Sequence, residues 1–427
     1  MSVGNLMIVG RLGAGPLAGV GLASNLLLYL LVVGMDVVGI VSVLLAEAHG
    51  RGDREDLSNT LGQGLWLATL VSMPGMVLCW ILPQILRLSG EAREVVQQTV
   101  LYLHPAVWCV LPTLWTAVLR SFLAVVGRTR PIMLISVISV GIDLLICYLL
   151  VLGRLDRLGI GVAGAGYARS IASTLALIAL VAYVSRCTEI RQFRPFRGLT
   201  RIHPKRWLEI LKLGLPAAGF TLAENGLFSA VGVLMGLVGT SALAASQIGL
   251  SAIEPGVMMA FAMGDAATVR IGLWAGRGDI RGIKKAAHSA FILGTVLMCA
   301  VGVILWTNAR KITSLFIDAG DPANHEVVRL TLVFLSIAAV FQVLDGLQII
   351  ATRALWGIKD TVTPVWVAIL CFWFVGVGGG CILTFSLKRG SSGLWWGLAT
   401  GLATAALLLV WRFEASVDRM NAGGGRR

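Results

Sequence analysis

Acidic side chains set inside long apolar runs are the residues of this chain whose type and position could do chemistry. Glu224 sits near the middle of Leu213–Val238, a stretch long enough to cross a bilayer as a helix at ~1.5 Å per residue. Pro216 and several glycines interrupt that stretch. Asp345 lies mid-run in 328–355, within F-Q-V-L-D-G-L-Q, and Asp36, Asp143 and Asp265 also fall inside apolar segments. An ionised carboxylate at bilayer depth costs about 2.5–3.5 kcal/mol on insertion scales, so it must face protein or water rather than lipid. It can pair with a neighbouring helix and hold a bundle together, or it can bind a proton or a metal cation. Glu224 and Asp345 are expected to do the second, jointly, as a site for Na+ or H+; hard oxygen ligands suit a hard cation. For Asp265, pairing with Arg270 is the structural alternative, and for Asp36 and Asp143 local hydrogen bonding is. Those alternatives stay open.

Other chemistries find little support. Gly159-Ile-Gly161-Val-Ala-Gly164 fits G-x-G-x-x-G, but no strand precedes it, so small residues that let helices approach closely are the better account. No G-x-x-x-x-G-K-[ST] and no H-E-x-x-H is present, the five histidines do not cluster, and the seven cysteines show no C-x-x-C spacing. No catalytic residue set and no organic cofactor are therefore expected. The Arg-Gly-Asp triplets at 51–53 and 277–279 read as turns that end helices.

The elements that must hold those acids are membrane helices. With 57% hydrophobic and 13% charged residues in 427 and a mean hydropathy of +0.84, the chain is too apolar for a soluble globular protein. Apolar segments run at roughly 17–46, 60–86, 98–126, 132–152, 161–185, 213–238, 243–272, 286–306, 328–355, 364–386 and 392–411. Before them, Met1–Gly10 is apolar but too short to span a ~30 Å core, so the first helix is expected to be partial, as in a shortened chain. The net charge of +13 is not a nucleic-acid signal, because Lys and Arg lie between the apolar segments. Most of the basic loops fall on one side if every segment crosses: 186–206, Arg51 and Arg54, Arg128 and Arg130, Arg277 with Arg281, Lys284 and Lys285, and the C-terminal arginines. The opposite loops, with Arg87, Arg93, Arg154, Arg157, Lys388 and Arg389, are sparser. The linker and the C-terminus are then expected in the cytoplasm.

The two sides of the basic linker look alike. Arg51-Gly52-Asp53 and Arg277-Gly278-Asp279 stand 226 positions apart, Glu94-Val95-Val96 and Glu326-Val327-Val328 232, and Gly166-Tyr167-Ala168 and Gly397-Leu398-Ala399 231. Common order and near-constant offset predict a duplicated bundle, an all-α membrane protein of two pseudo-symmetric six-helix lobes with twelve transmembrane helices. The expected organisation is an N-terminal lobe over 1–185, a cytoplasmic linker over 186–206, a C-terminal lobe over 207–413 and a polar tail over 414–427. At the same offset the counterpart of Asp345 is Thr113, so that acid belongs to the second lobe alone.

V-G-R-L-G-A at 9–14, G-R-G-D at 50–53 and 276–279, G-R-T-R-P at 127–131, V-A-G-A-G-Y-A at 162–168, P-A-A-G-F-T-L-A-E at 216–224 and Q-V-L-D-G-L-Q at 342–348 stand in collinear order. Together they resemble the multidrug and toxic compound extrusion (MATE) family, in particular its bacterial NorM-like branch. The resemblance covers essentially the whole chain. It implies antiport of amphipathic, often cationic compounds against Na+ or H+ by alternating access in a bacterial inner membrane. It places the helix-seven glutamate on Glu224, the helix-ten aspartate on Asp345 and a helix-eight glutamine on Gln247, a further oxygen ligand beside the two acids. The aspartate usual in helix one aligns with Asn5, which puts a proton site in the first lobe in doubt unless Asp36 or Asp143 substitutes. Asn5, Asp36 and Asp143 therefore form a secondary set. The expected partners are small-molecule drugs or metabolites and the lipid bilayer, with no nucleic acid, and the chain is expected to act as a monomer. The alternative of related architecture is a lipid-linked saccharide flippase, which should line its cavity with Arg and Lys; the alternative of another class is a membrane-embedded enzyme, for which the longest loops offer no catalytic set.

Overall fold

The computed structural model describes residues 2–88, 92–153, 160–200, 202–318 and 321–424. Arg154, Arg157, Gly159, Arg201 and the C-terminal arginines, which carry part of the charge and motif arguments, lie outside the described residues. Among the described residues the chain is helical and without strands, and eleven helices are long and apolar enough to cross a membrane. Lipid offers the backbone no hydrogen bonds, so each long apolar run must satisfy its N–H and C=O groups internally, which a helix does.

A short α1 (Ser2–Val9) comes first, and the eleven follow in chain order: α2 (Gly15–Gly50, with a turn at Ile40), α3 (Arg54–Leu88), α4 (Arg93–Val125), α5 (Arg130–Leu152) and α6 (Val162–Arg186). After the linker come α7 (Pro204–Val238), α8 (Thr240–Gly276), α9 (Ile280–Thr307), α10 (Pro322–Gly357) and α11 (Val362–Ser386), and α12 (Ser392–Gly424). The Arg-Gly-Asp turns separate α2 from α3 and α8 from α9. Gly52 and Gly278 take positive φ, 74° and 69°, the left-handed conformation that stops a helix. The aspartate then starts the next: Asp53 Oδ1 accepts from Glu55 N and Asp56 N, and Asp279 Oδ1 accepts from Gly282 N at 3.0 Å. Large apolar side chains stay exposed in stripes, such as Leu134, Val137 and Ile138 on α5 and Ile292, Leu293 and Val296 on α9. Such stripes need lipid as their solvent.

The chain divides into two compact units, Met1–Ala218 and Gly219–Arg427, and the division falls inside α7. In the first unit the linker is not a free tether. Its 3-10 turn Arg197–Thr200 lies against α3 so closely that a Cβ on Gly62 would stand 2.3 Å from the Gly198 carbonyl carbon. Ser58 Oγ donates to Arg194 O at 2.7 Å, Gln63 Nε2 to Gly198 O at 3.3 Å and Trp66 Nε1 to Leu199 O at 3.1 Å. Arg206 then pairs with Asp56 at 2.7 Å. A Cβ on Gly198 would meet Ser58 O at 2.2 Å, and backbone cannot move aside as a side chain can. Gly198→Ala is accordingly expected to lose about 2–3 kcal/mol. The measurement is the melting temperature in detergent, compared with that of Gly141→Ala, where a Cβ would meet open space.

In the second unit α10 is central, packed on α8, α9 and α12. Glycines of α8 spaced about two turns apart admit it: Gly249 faces Trp395 and Phe334, Gly256 faces Gln342, and Gly264 faces Arg353. Over Ile369–Gly378 and Ile382–Ser386, α11 widens into i→i+5 bonding. Against that widened stretch Gly397 and Gly401 of α12 bring backbone to backbone, at Gly376 and Gly380. The residues expected as a polar tail from 414 onward continue α12 as helix through Gly424, with Asp418 bound to Lys284 at 2.5 Å and Glu414 to His288 at 2.7 Å, both on α9.

Candidate functional site

Glu224 is buried on α7 and lines a pocket of about 200 Å³ with Phe220, Thr221, Phe261, Ile349, Thr352, Arg353 and Trp356. Thr221 and Glu224, one turn apart, give α7 a polar face toward the pocket. Three aromatic rings wall it, Phe220 standing edge-on to Trp356 at 6.3 Å.

Arg353 is the charged residue of this lining that a search for acids alone passes over. Its guanidinium lies 4.4 Å from the Trp356 ring centre and 5.3 Å from that of Phe261, a cation–π arrangement. Its Nη1 pairs with Asp265 Oδ1 at 3.1 Å. The pairing of Asp265 with Arg270 is thereby corrected: five residues along a helix is a rotation of about 140°, which turns Arg270 away. A basic residue inside an apolar run, T-R-A-L-W at 352–356, is the signal in the sequence.

Asp345 is 2% exposed on α10, and its Oδ1 has no hydrogen-bond partner among the described residues. It belongs to a buried polar stripe, Gln342, Asp345, Gln348 and Thr352, of which only Thr352 reaches the pocket. Asp345 stands one turn before Ile349 at the pocket wall. Gln247 is exposed on α8, outside the pocket's lining. A Cβ on Gly232 would stand 3.9 Å from Gln247 Nε2, and that glycine is eight residues along α7 from Glu224. Among the described residues no three His, Cys, Asp or Glu side chains converge as a metal site.

The first unit holds a second buried polar cluster. Asn5 Nδ2 on α1 donates to Asp143 Oδ2 on α5 at 2.9 Å, and both residues are buried. Arg169 of α6 is near enough to act on the Asp143 charge, and Cys109 and Tyr102 are its other neighbours. Asn5 and Asp143 thus come together, while Asp36 lies partly buried on α2.

The described residues thus form a polytopic helical membrane protein of two compact units, each with carboxylates buried among its helices. The sequence profile of the MatE family matches residues 2–149 and 216–382, and the chain belongs to that family. It is 35% identical, over 97% of its length and 89% of the relative's, to a probable multidrug resistance protein NorM of Mesorhizobium japonicum. It is 32% identical to the multidrug resistance protein NorM of Burkholderia vietnamiensis, over 99% and 91% of the two chains. A crystal structure of MATE in the bent conformation superposes with a TM-score of 0.88 at 18% identity, covering 99% of this chain and 92% of that one. The NorM-like resemblance and the two-lobed all-α membrane fold are borne out.

Proposed function

We propose that this protein is an efflux antiporter that exports amphipathic, often cationic compounds in exchange for Na+ or H+ by alternating access. The observation that carries the reading is a pair of buried carboxylates, Glu224 and Asp345, on transmembrane helices of a MatE-family chain whose relatives are named for multidrug resistance. A buried carboxylate is tolerable when it takes a proton or a cation, and it must give that ion up to be used again. Glu224 is the coupling acid, facing a pocket lined by α7, α8 and α10, and Asp345 lies one turn before that lining on α10. Arg169 and Arg353 each lie beside an aspartate of their own unit, which supports this reading over a flippase whose arginines must stay open to a pyrophosphate. The test is efflux of a cationic dye from proteoliposomes under an imposed Na+ or proton gradient. Dye movement driven by neither would refute antiport.

The orientation belongs to the same proposal: an inner-membrane protein with its linker and C-terminus in the cytoplasm. In a cysteine-free background, a cysteine at Ser392 is expected to be labelled from the periplasm and one at Thr200 not. The reverse pattern would invert the topology.

A further inference from the structure

Between Lys205 and Leu215 the exposed residues of α7 are Lys205, Leu208, Lys212 and Leu215. Spacings of three and four put them on one stripe of the helix. The opposite face is committed inward. Arg206 pairs with Asp56 of α3 at 2.7 Å, Ile210 is fully buried, and a Cβ on Gly214 would stand 2.3 Å from Val37 O of α2. These contacts, all within the first unit, fix the rotation of α7 about its axis and turn the stripe outward, with Leu208 54% and Leu215 59% exposed.

Helix length sets the depth of the stripe. The 35 residues of α7 extend about 52 Å, against a hydrocarbon core of ~30 Å. Leu213–Val238 suffices to cross, so the turns before it stand at headgroup level. Lys205 and Lys212 are about 10 Å apart along the axis, and lysine stems lie along apolar surface while the ammonium groups stay at the polar boundary. Nearby acids are already engaged: Glu209 binds Arg206 at 2.7 Å, and Glu189 of the linker pairs with Arg128. Exposed Arg194 and Arg197 add positive charge, because the linker docks on the same turns of α3 that receive Arg206.

We propose that this stripe binds an anionic phospholipid, its phosphodiester held by Lys205 and Lys212 and its apolar part lying against Leu208 and Leu215. A soluble phosphate answers the lysines but leaves the leucines in water; a lipid answers both. The bound lipid steadies the outer end of α7 where it leaves the linker.

The test follows the melting temperature of the full chain in a neutral detergent as phosphatidylglycerol is added, with zwitterionic phosphatidylcholine in a parallel series. Phosphatidylglycerol is expected to raise it to a plateau, and phosphatidylcholine is not. Lys205→Gln combined with Lys212→Gln is expected to raise the half-saturating phosphatidylglycerol concentration about thirtyfold, which is ~2 kcal/mol, about 1 for each basic residue at an anionic lipid surface. Lys205→Arg combined with Lys212→Arg keeps the charge and should stay within about threefold of wild type, which separates lost binding from lost folding. Arg281→Gln combined with Lys285→Gln removes two exposed cations from the start of α9 and should titrate as wild type. Equal action of the two lipids, or an unmoved Lys→Gln pair, overturns the proposal. So does an equal loss in the α9 pair, which would mean general attraction to basic helix ends, and so does the same stabilisation by inorganic phosphate, which would mean an anion site without a lipid.

Discussion

Glu224→Gln is expected to abolish ion-driven dye efflux while leaving yield and melting temperature near those of the wild type. Gln keeps the shape and a hydrogen-bonding head but carries no charge and no exchangeable proton. Removing one partner of a buried charge pair costs about 3–5 kcal/mol, which corresponds to a loss of at least ~100-fold in cation affinity. Asp345→Asn is expected to act the same way, because its carboxylate is buried with one oxygen lacking a hydrogen-bond partner among the described residues. The comparison variant is Thr113→Ala, at the position in the first half that corresponds to Asp345, and it should remain active. Full ion-driven efflux by both acid variants would make the two carboxylates structural and turn attention to Asp36 and Asp143.

The second large effect is on folding. A Cβ on Gly397 would stand 2.4 Å from Gly380 Cα and 2.5 Å from Gly376 O. Both contacts are to backbone, so α11 and α12 would have to separate along the widened stretch Ile369–Gly378. Gly397→Val is expected to cost more than about 3 kcal/mol and to leave little monodisperse protein on size-exclusion chromatography. Gly379, the residue that follows the widened stretch, has an ordinary helical φ of −62° and open space where a Cβ would stand. Gly379→Ala should therefore behave as wild type. Equal yields for the two variants would show that the crossing is looser than these contacts require.

Long apolar runs make the helices legible in the sequence, because lipid leaves the backbone no other arrangement. Glu224 and Asp345 are legible for the same reason: a carboxylate in such a run has to be explained. What stays hidden depends on partners far away in sequence. Arg353 meets Asp265 across 88 positions, and only the packing of α8 on α10 brings them together. The widened bonding of α11 leaves no periodic mark, since its residues are apolar on every side. Helix in the last residues is accompanied by ion pairs to α9 that a reading of local polarity does not contain.

The docking of the linker on α3 has a consequence for biosynthesis. Each group in that clasp, from Asp56 to Arg206, lies in the first half of the chain. At ~5–20 residues per second, the ribosome needs about 10–40 s more to make 219–427. During that interval the emerging first unit already has the means to fold over its own trailing end. The nascent chain enters the second round of helix insertion with its connector anchored, so the newly made helices start from a fixed post instead of a swinging one.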